Sequence, residues 1–154
     1  MPTYDKLALG RKARELGFSR DAYEKMSRLA DVLRHIDADM ELRPFLALKG
    51  GTAINLAIFS LPRLSVDIDL DFTENLPKEE TAAKRERIKT VIGQYMANDG
   101  YALKDKSKHT HALDSYVYSY VNAAGNPDNL KIEINYTMAL WRIRHMRDGR
   151  EERQ

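Results

Sequence analysis

The sequence predicts an α+β domain in which helices pack on a small mixed β-sheet. Three observations predict it. Apolar residues recur with a helical period over residues 23–36 and 88–96. A two-residue alternation runs through Val66–Phe72 and again through Leu130–Tyr136. The order along the chain is helix, strand, helix, strand, helix, a strand pair and a helical tail. A length of 154 residues fits one domain with a single core, so the expected unit spans 1–154.

Each element has a local cause. The first predicted helix opens at Ser19, an N-cap that precedes Asp21 in the first turn, and presents Tyr23, Met26, Leu29, Ala30, Leu33 and Ile36 on its apolar side. Pro44–Lys49 is a short apolar run that stops at Gly50-Gly51, which reads as a buried strand ending in a glycine turn. Thr52–Phe59 has helical character and is ended by Pro62. In Val66–Phe72, Val66, Ile68, Leu70 and Phe72 alternate with Asp67, Asp69 and Asp71, giving a strand with one apolar and one acidic face. A long amphipathic helix follows Pro77, from Lys78 to about Ala97, with Ile88, Val91, Ile92, Tyr95 and Met96 inward and Gly100 closing it. Ser115–Asn122 is rich in β-formers, Asn126-Pro127-Asp128-Asn129 reads as a turn, and Leu130–Tyr136 as the partner strand with Lys131, Glu133 and Asn135 on its polar side.

Composition excludes several classes. The chain is 43% hydrophobic and 31% charged, ordinary for a globular protein, with no apolar run long enough for a membrane span and no signal-peptide core. Lacking cysteine, it has neither a disulfide framework nor a thiolate zinc site, and a cytoplasmic location is expected. A net charge of +2 does not by itself point to nucleic acid. The arginine-rich stretch Trp141–Gln154 reads as a solvated helix end or the stub of a longer protein, with phosphate contact as the alternative.

Three aspartates on one strand face demand a counter-charge, because side chains at i and i+2 lie only about 7 Å apart. Arg63 or a divalent cation would supply it. Magnesium takes oxygen ligands and is usually held by one or two carboxylates with substrate phosphates, so Asp67 and Asp69 are candidate ligands and Asp71 a peripheral one. A calcium loop is excluded, since Phe72 and Lys78 stand where glycine and glutamate are required. Upstream, Lys49-Gly50-Gly51-Thr52 joins a strand end to a helix start, a place where backbone N–H groups can receive phosphate. It is not the Walker-type loop, whose second glycine and lysine are missing. Glu133 is the third candidate carboxylate, provided its strand lies beside the acidic one.

Together, Lys49-Gly50-Gly51-Thr52-Ala53, the segment Arg63-x-Ser65-x-Asp67-Ile68-Asp69-Leu70 and the strand Leu130–Tyr136 resemble the AbiEii/AbiGii toxin branch of the nucleotidyltransferase superfamily. The resemblance covers roughly residues 45–145 and implies a nucleotidyltransferase-like fold that moves a nucleotidyl group from an NTP with two metals, magnesium or manganese. It implies Asp67, Asp69 and Glu133 as catalytic metal ligands, and Lys49, Gly50, Gly51, Thr52, Arg63 and Ser65 around the phosphates. A K-x-x-x-[TR] segment of the family matches Lys106–Thr110, which would put Lys106 and Thr110 on the triphosphate. Glu133 stands where aspartate is common, a longer arm with the same chemistry. The resemblance further implies a toxin of a toxin–antitoxin or phage-defence system, a cognate antitoxin, and an acceptor that is tRNA, another nucleic acid or a protein side chain. Members usually continue into a C-terminal helical region, which this chain is expected to lack. Two other readings stay open: a catalytically impaired nucleotide- or partner-binding remnant, and a metal-dependent nuclease or phosphohydrolase. The histidines His35, His109, His111 and His145 read as surface residues.

Overall fold

The computed structural model describes residues 4–48 and 67–137. Within them lie three helices and a six-stranded sheet: α1 (Lys6–Leu16), α2 (Arg20–Ala38), β1 (Leu46–Leu48), β2 (Asp67–Phe72), α3 (Lys78–Asn98), β3 (Ala102–Leu103), β4 (Lys108–His109), β5 (Leu113–Val121) and β6 (Pro127–Asn135). The expected α+β architecture is present. The sheet order is β1-β2-β6-β5-β3, with β4 also pairing with β5. Only β2 and β6 run parallel; every other pair is antiparallel.

Burial explains the layering. Ile68, Leu70 and Phe72 of β2, Leu130, Ile132 and Ile134 of β6, and Tyr116 and Tyr118 of β5 form the apolar face of the sheet. They pack against Leu29, Val32 and Ile36 of α2 and Ile88, Ile92 and Met96 of α3. Each such side chain withdrawn from water contributes roughly 1.5–3 kcal/mol. Ser19 caps α2 by accepting from the Ala22 N–H, and Gly100, at φ 85°, follows the end of α3.

Four features differ from the expectations, one being that two short strands, β3 and β4, precede β5 where the sequence offered none. A helix, α1, precedes Ser19: Asp5 caps it, Gly17 at φ 79° ends it, and only Leu9 and Ala13 are buried, a stripe too narrow and interrupted by Gly10 to register as a period. The β5–β6 turn is Asn122–Asn126, not 126–129. Gly125 adopts φ 89° there, the Asn122 side chain accepts from the Asn126 N–H, and Pro127 takes the first position of β6, where its missing N–H is tolerated. Finally, β1 is shorter than expected, with residues 41–45 turning before it. The helix expected at 52–59 and the tail at 141–154 lie outside the described residues.

Candidate functional site

The polar face of β2 and β6 carries the candidate carboxylates. Neighbouring strands lie about 4.8 Å apart, and residues in register project from the same face. Parallel pairing sets Asp67 beside Lys131, Asp69 beside Glu133 and Asp71 beside Asn135. Asp67, Asp69 and Glu133 therefore share one face, each half-buried. The row through Asp69 and Glu133 continues across the sheet: Glu133 is in register with Ser115 of β5, and Ser115 with Lys108 of β4.

Lys131 supplies a counter-charge where the sequence offered Arg63 or a divalent cation. Its Nζ lies 2.7 Å from Glu133 Oε1. Its ammonium is held above the ordinary lysine range by that hydrogen bond first, against the opposing effect of burial, with the charges of Glu133, Asp67 and Asp69 adding to it. Among the described residues, no group of three or more His, Cys, Asp or Glu side chains is drawn together tightly enough to hold a metal ion. The chemistry of the donors nonetheless suits a hard divalent cation, since the acidic face offers carboxylate oxygen and no sulfur or imidazole.

Of the other candidates, Lys49, Gly50, Gly51, Thr52, Arg63 and Ser65 lie outside the described residues. The segment Lys49–Thr52 follows directly on β1, whose last residue, Leu48, pairs with Leu70 next to Asp69. Lys106 is exposed in the turn before β4. Thr110 is bound on the helical side: its N–H donates to the Leu113 carbonyl, and its own carbonyl accepts from Arg85 Nη2 at 2.5 Å. Neither stands in the row of Asp69 and Glu133; Lys108 does. Sequence reasoning passed over Lys108 because the spacing of the motif pointed to Lys106. The signal available was the alternation Lys106, Lys108, Thr110 in a segment that pairs with β5.

The described histidines lie at the surface, His109 and His111 exposed and His35 half-buried, and two of them are engaged there. His109 Nδ1 lies 2.8 Å from Asp114 Oδ1, and Asp114 is also gripped by Arg85, through Nε at 2.8 Å and Nη2 at 2.7 Å. Burial pushes the Asp114 carboxyl up, but hydrogen bonds from Arg85 and His109 and their charges hold it, on balance, below the ordinary carboxylate range. His35 stacks on Tyr95 with centroids 3.6 Å apart, His111 is exposed, and His145 lies outside the described residues. Asp114 is in register with Ile134, so the His109–Asp114–Arg85 group occupies the face opposite Asp69 and Glu133. Its location makes it a tie between β5, α3 and the 110–113 loop.

No helix among the described residues is long and apolar enough to cross a membrane. No curated protein matches the chain. A family model, described as nucleotidyl transferase AbiEii toxin, type IV toxin–antitoxin system, matches residues 31–146, a span that takes in both acidic strands and every strand between them, and the chain belongs to that family.

Proposed function

We propose that the chain is a metal-dependent nucleotidyltransferase that moves a nucleotidyl group from a nucleoside triphosphate to an RNA or protein acceptor. It acts as the toxin of a pair whose other member is a cognate antitoxin. The observation that carries this reading is the parallel register of β2 with β6, which puts Asp69 beside Glu133 and Asp67 beside Lys131 on one face. Support also comes from the nucleotidyl transferase description of the family and from the pairing of β1 with β2, which sets Leu48, the residue before Lys49 in the sequence, beside Leu70.

In this reaction the acceptor hydroxyl attacks the α-phosphorus, the bond to the β-phosphate oxygen breaks, pyrophosphate leaves, and the hydroxyl proton passes to a base. Asp67, Asp69 and Glu133 would hold magnesium or manganese, which when bound would neutralise charge on the phosphates and lower the pKa of the attacking hydroxyl. Asp67 and Asp69 project from a strand fixed on both sides, by β1 and β6, so their backbone positions are set before substrate arrives. Lys131 holds the longer Glu133 arm in place through its 2.7 Å contact. Lys108, in the same row two strands from Glu133, would meet the far end of a triphosphate. Gly50, Gly51, Thr52, Arg63, Ser65, Lys106 and Thr110 remain the family-implied phosphate contacts.

The test is incubation of the protein with each α-labelled NTP, magnesium and cell extract. Label should move to RNA or protein, cease with chelator, and be lost in Asp69→Ala and Glu133→Ala. Release of free nucleoside monophosphate would establish hydrolysis instead, and metal-dependent NTP binding without transfer would identify a remnant.

A further inference from the structure

Helix α1 and the start of α2 lie outside residues 31–146, the span matched by the family. Between them is a cleft of about 370 Å³ lined by Asp5, Lys6, Leu7, Gly10, Arg11, Arg14 and Arg20. Four cations thus face one carboxylate. Asp5 is already engaged, accepting the Ala8 N–H at 3.1 Å as the N-cap of α1. Among the described residues, Lys6, Arg11 and Arg14 have no ion-pair partner, whereas Lys12, on the same helix but off the cleft, pairs with Glu15 at 3.6 Å. Arg20 is drawn against α1, its Cδ 4.0 Å from the position of a Cβ on Gly10, and its Nε makes no hydrogen bond but is ion-paired with Asp21 Oδ1 at 3.5 Å, so Lys6, Arg11 and Arg14 are the cleft's uncompensated cations. Lys6, Arg11 and Arg14 are exposed around one hollow, and an anion received there would relieve their mutual repulsion.

We propose that the α1–α2 cleft is a phosphate-backbone grip for RNA, holding the acceptor while its reactive hydroxyl engages the acidic face. The inference rests on the nucleotidyl-transfer reading in its RNA-acceptor form. Arg11 and Arg14 are one helical turn apart, about 5–6 Å between Cβ atoms, close enough to bind neighbouring phosphates of one strand. Arginine offers each phosphate a two-pronged hydrogen bond in addition to its charge. Being sequence-independent, such a grip orients the substrate and leaves selection of the nucleotide to the site itself.

The experiment measures binding of fluorescently labelled total tRNA by anisotropy over a series of salt concentrations. Four phosphate contacts give a log–log salt slope of about −3 to −4, and Arg11→Gln with Arg14→Gln should reduce its magnitude by about 1.5–2 and weaken binding tenfold or more at low salt. Gly10→Glu, which removes no cation and raises helix propensity, should also weaken binding, while Lys12→Gln should change it little. Circular dichroism verifies folding of each variant. An unchanged slope and affinity in both cleft variants overturns the inference, as does loss of binding to poly-glutamate alone with tRNA unaffected, which would make the cleft a docking site for an acidic protein. The underlying reading is scored separately by label transfer in the wild-type chain. Transfer to RNA with no effect of the cleft variants on tRNA binding refutes the grip alone, and weakened tRNA binding in those variants without any wild-type transfer refutes the reading alone.

Discussion

Replacing Arg85 with methionine should destabilise the domain by about 2–4 kcal/mol. Arg85 and Asp114 are 20% and 4% exposed, and the guanidinium makes two hydrogen bonds to the carboxylate while also binding the carbonyls of His111 at 2.8 Å and Thr110. Removing one partner of a buried pair costs about 3–5 kcal/mol, because the other charge stays behind without compensation. The residual exposure of Arg85 and the remaining contact of Asp114 with His109 reduce that range. For a chain of 154 residues, the loss corresponds to a fall in Tm of roughly 5–15 °C. Thermal and urea unfolding followed by circular dichroism would measure it. The double change Arg85→Met with Asp114→Leu should cost less than Arg85→Met alone, since it removes the stranded charge along with its partner. A single-variant loss below about 1 kcal/mol, or a double variant worse than the single, would refute the reasoning. The same pair predicts a pH dependence. Because the folded carboxyl of Asp114 titrates below its ordinary value of 3.8, the pair's stabilisation is complete above about pH 4 and disappears as pH falls through the depressed folded value. Asp114→Asn should therefore be less stable at neutral pH and show a shallower acid limb.

Three further outcomes are expected. Glu24 is fully buried and accepts from Arg28 Nε at 2.8 Å and the Ala123 N–H at 2.7 Å, so Glu24→Ala should cost about 3 kcal/mol and speed hydrogen exchange at the Ala123 amide. Gly125→Ala meets no neighbouring atom but forces alanine to φ 89°, and should lower stability by about 1 kcal/mol in urea titrations without changing the m-value. Lys131→Met removes the cation that competes with metal for Glu133, so the proposed transfer should half-saturate at a lower magnesium concentration; an unchanged or higher requirement would show that Lys131 serves the phosphates instead.

Much of the fold was legible because period follows geometry. The alternation of Val66–Phe72 and Leu130–Tyr136 named the buried residues of β2 and β6 correctly, and Ser19, Pro77 and Gly100 marked real helix boundaries. Other features have no local signature. Glu24 lies outside the apolar set read for α2, yet it is buried because Arg28 and the β5–β6 turn close over it. Likewise, nothing in the order of residues says that β2 neighbours β6 and runs parallel to it; that depends on the α3 crossover and the β5 hairpin. The chemical type of the acidic face was therefore readable, while the partner of each carboxylate across strands was not. Lys131 beside Glu133 follows from the alternation of β6, but Asp69 beside Glu133 and His109 beside Asp114 emerge only from register and packing.

Asp69 and Glu133 are neighbours in space but 64 positions apart in the chain. Closing a loop of that length costs on the order of 3–4 kcal/mol in chain entropy before the contact is rewarded. Such long-range parallel pairing is among the slower steps of folding, so the acidic pair assembles late and only in a nearly finished domain. A nascent polypeptide still on the ribosome with β6 in the exit tunnel has one carboxylate strand and not the other. The acidic pair can therefore form only once β6 has left the tunnel and docked beside β2.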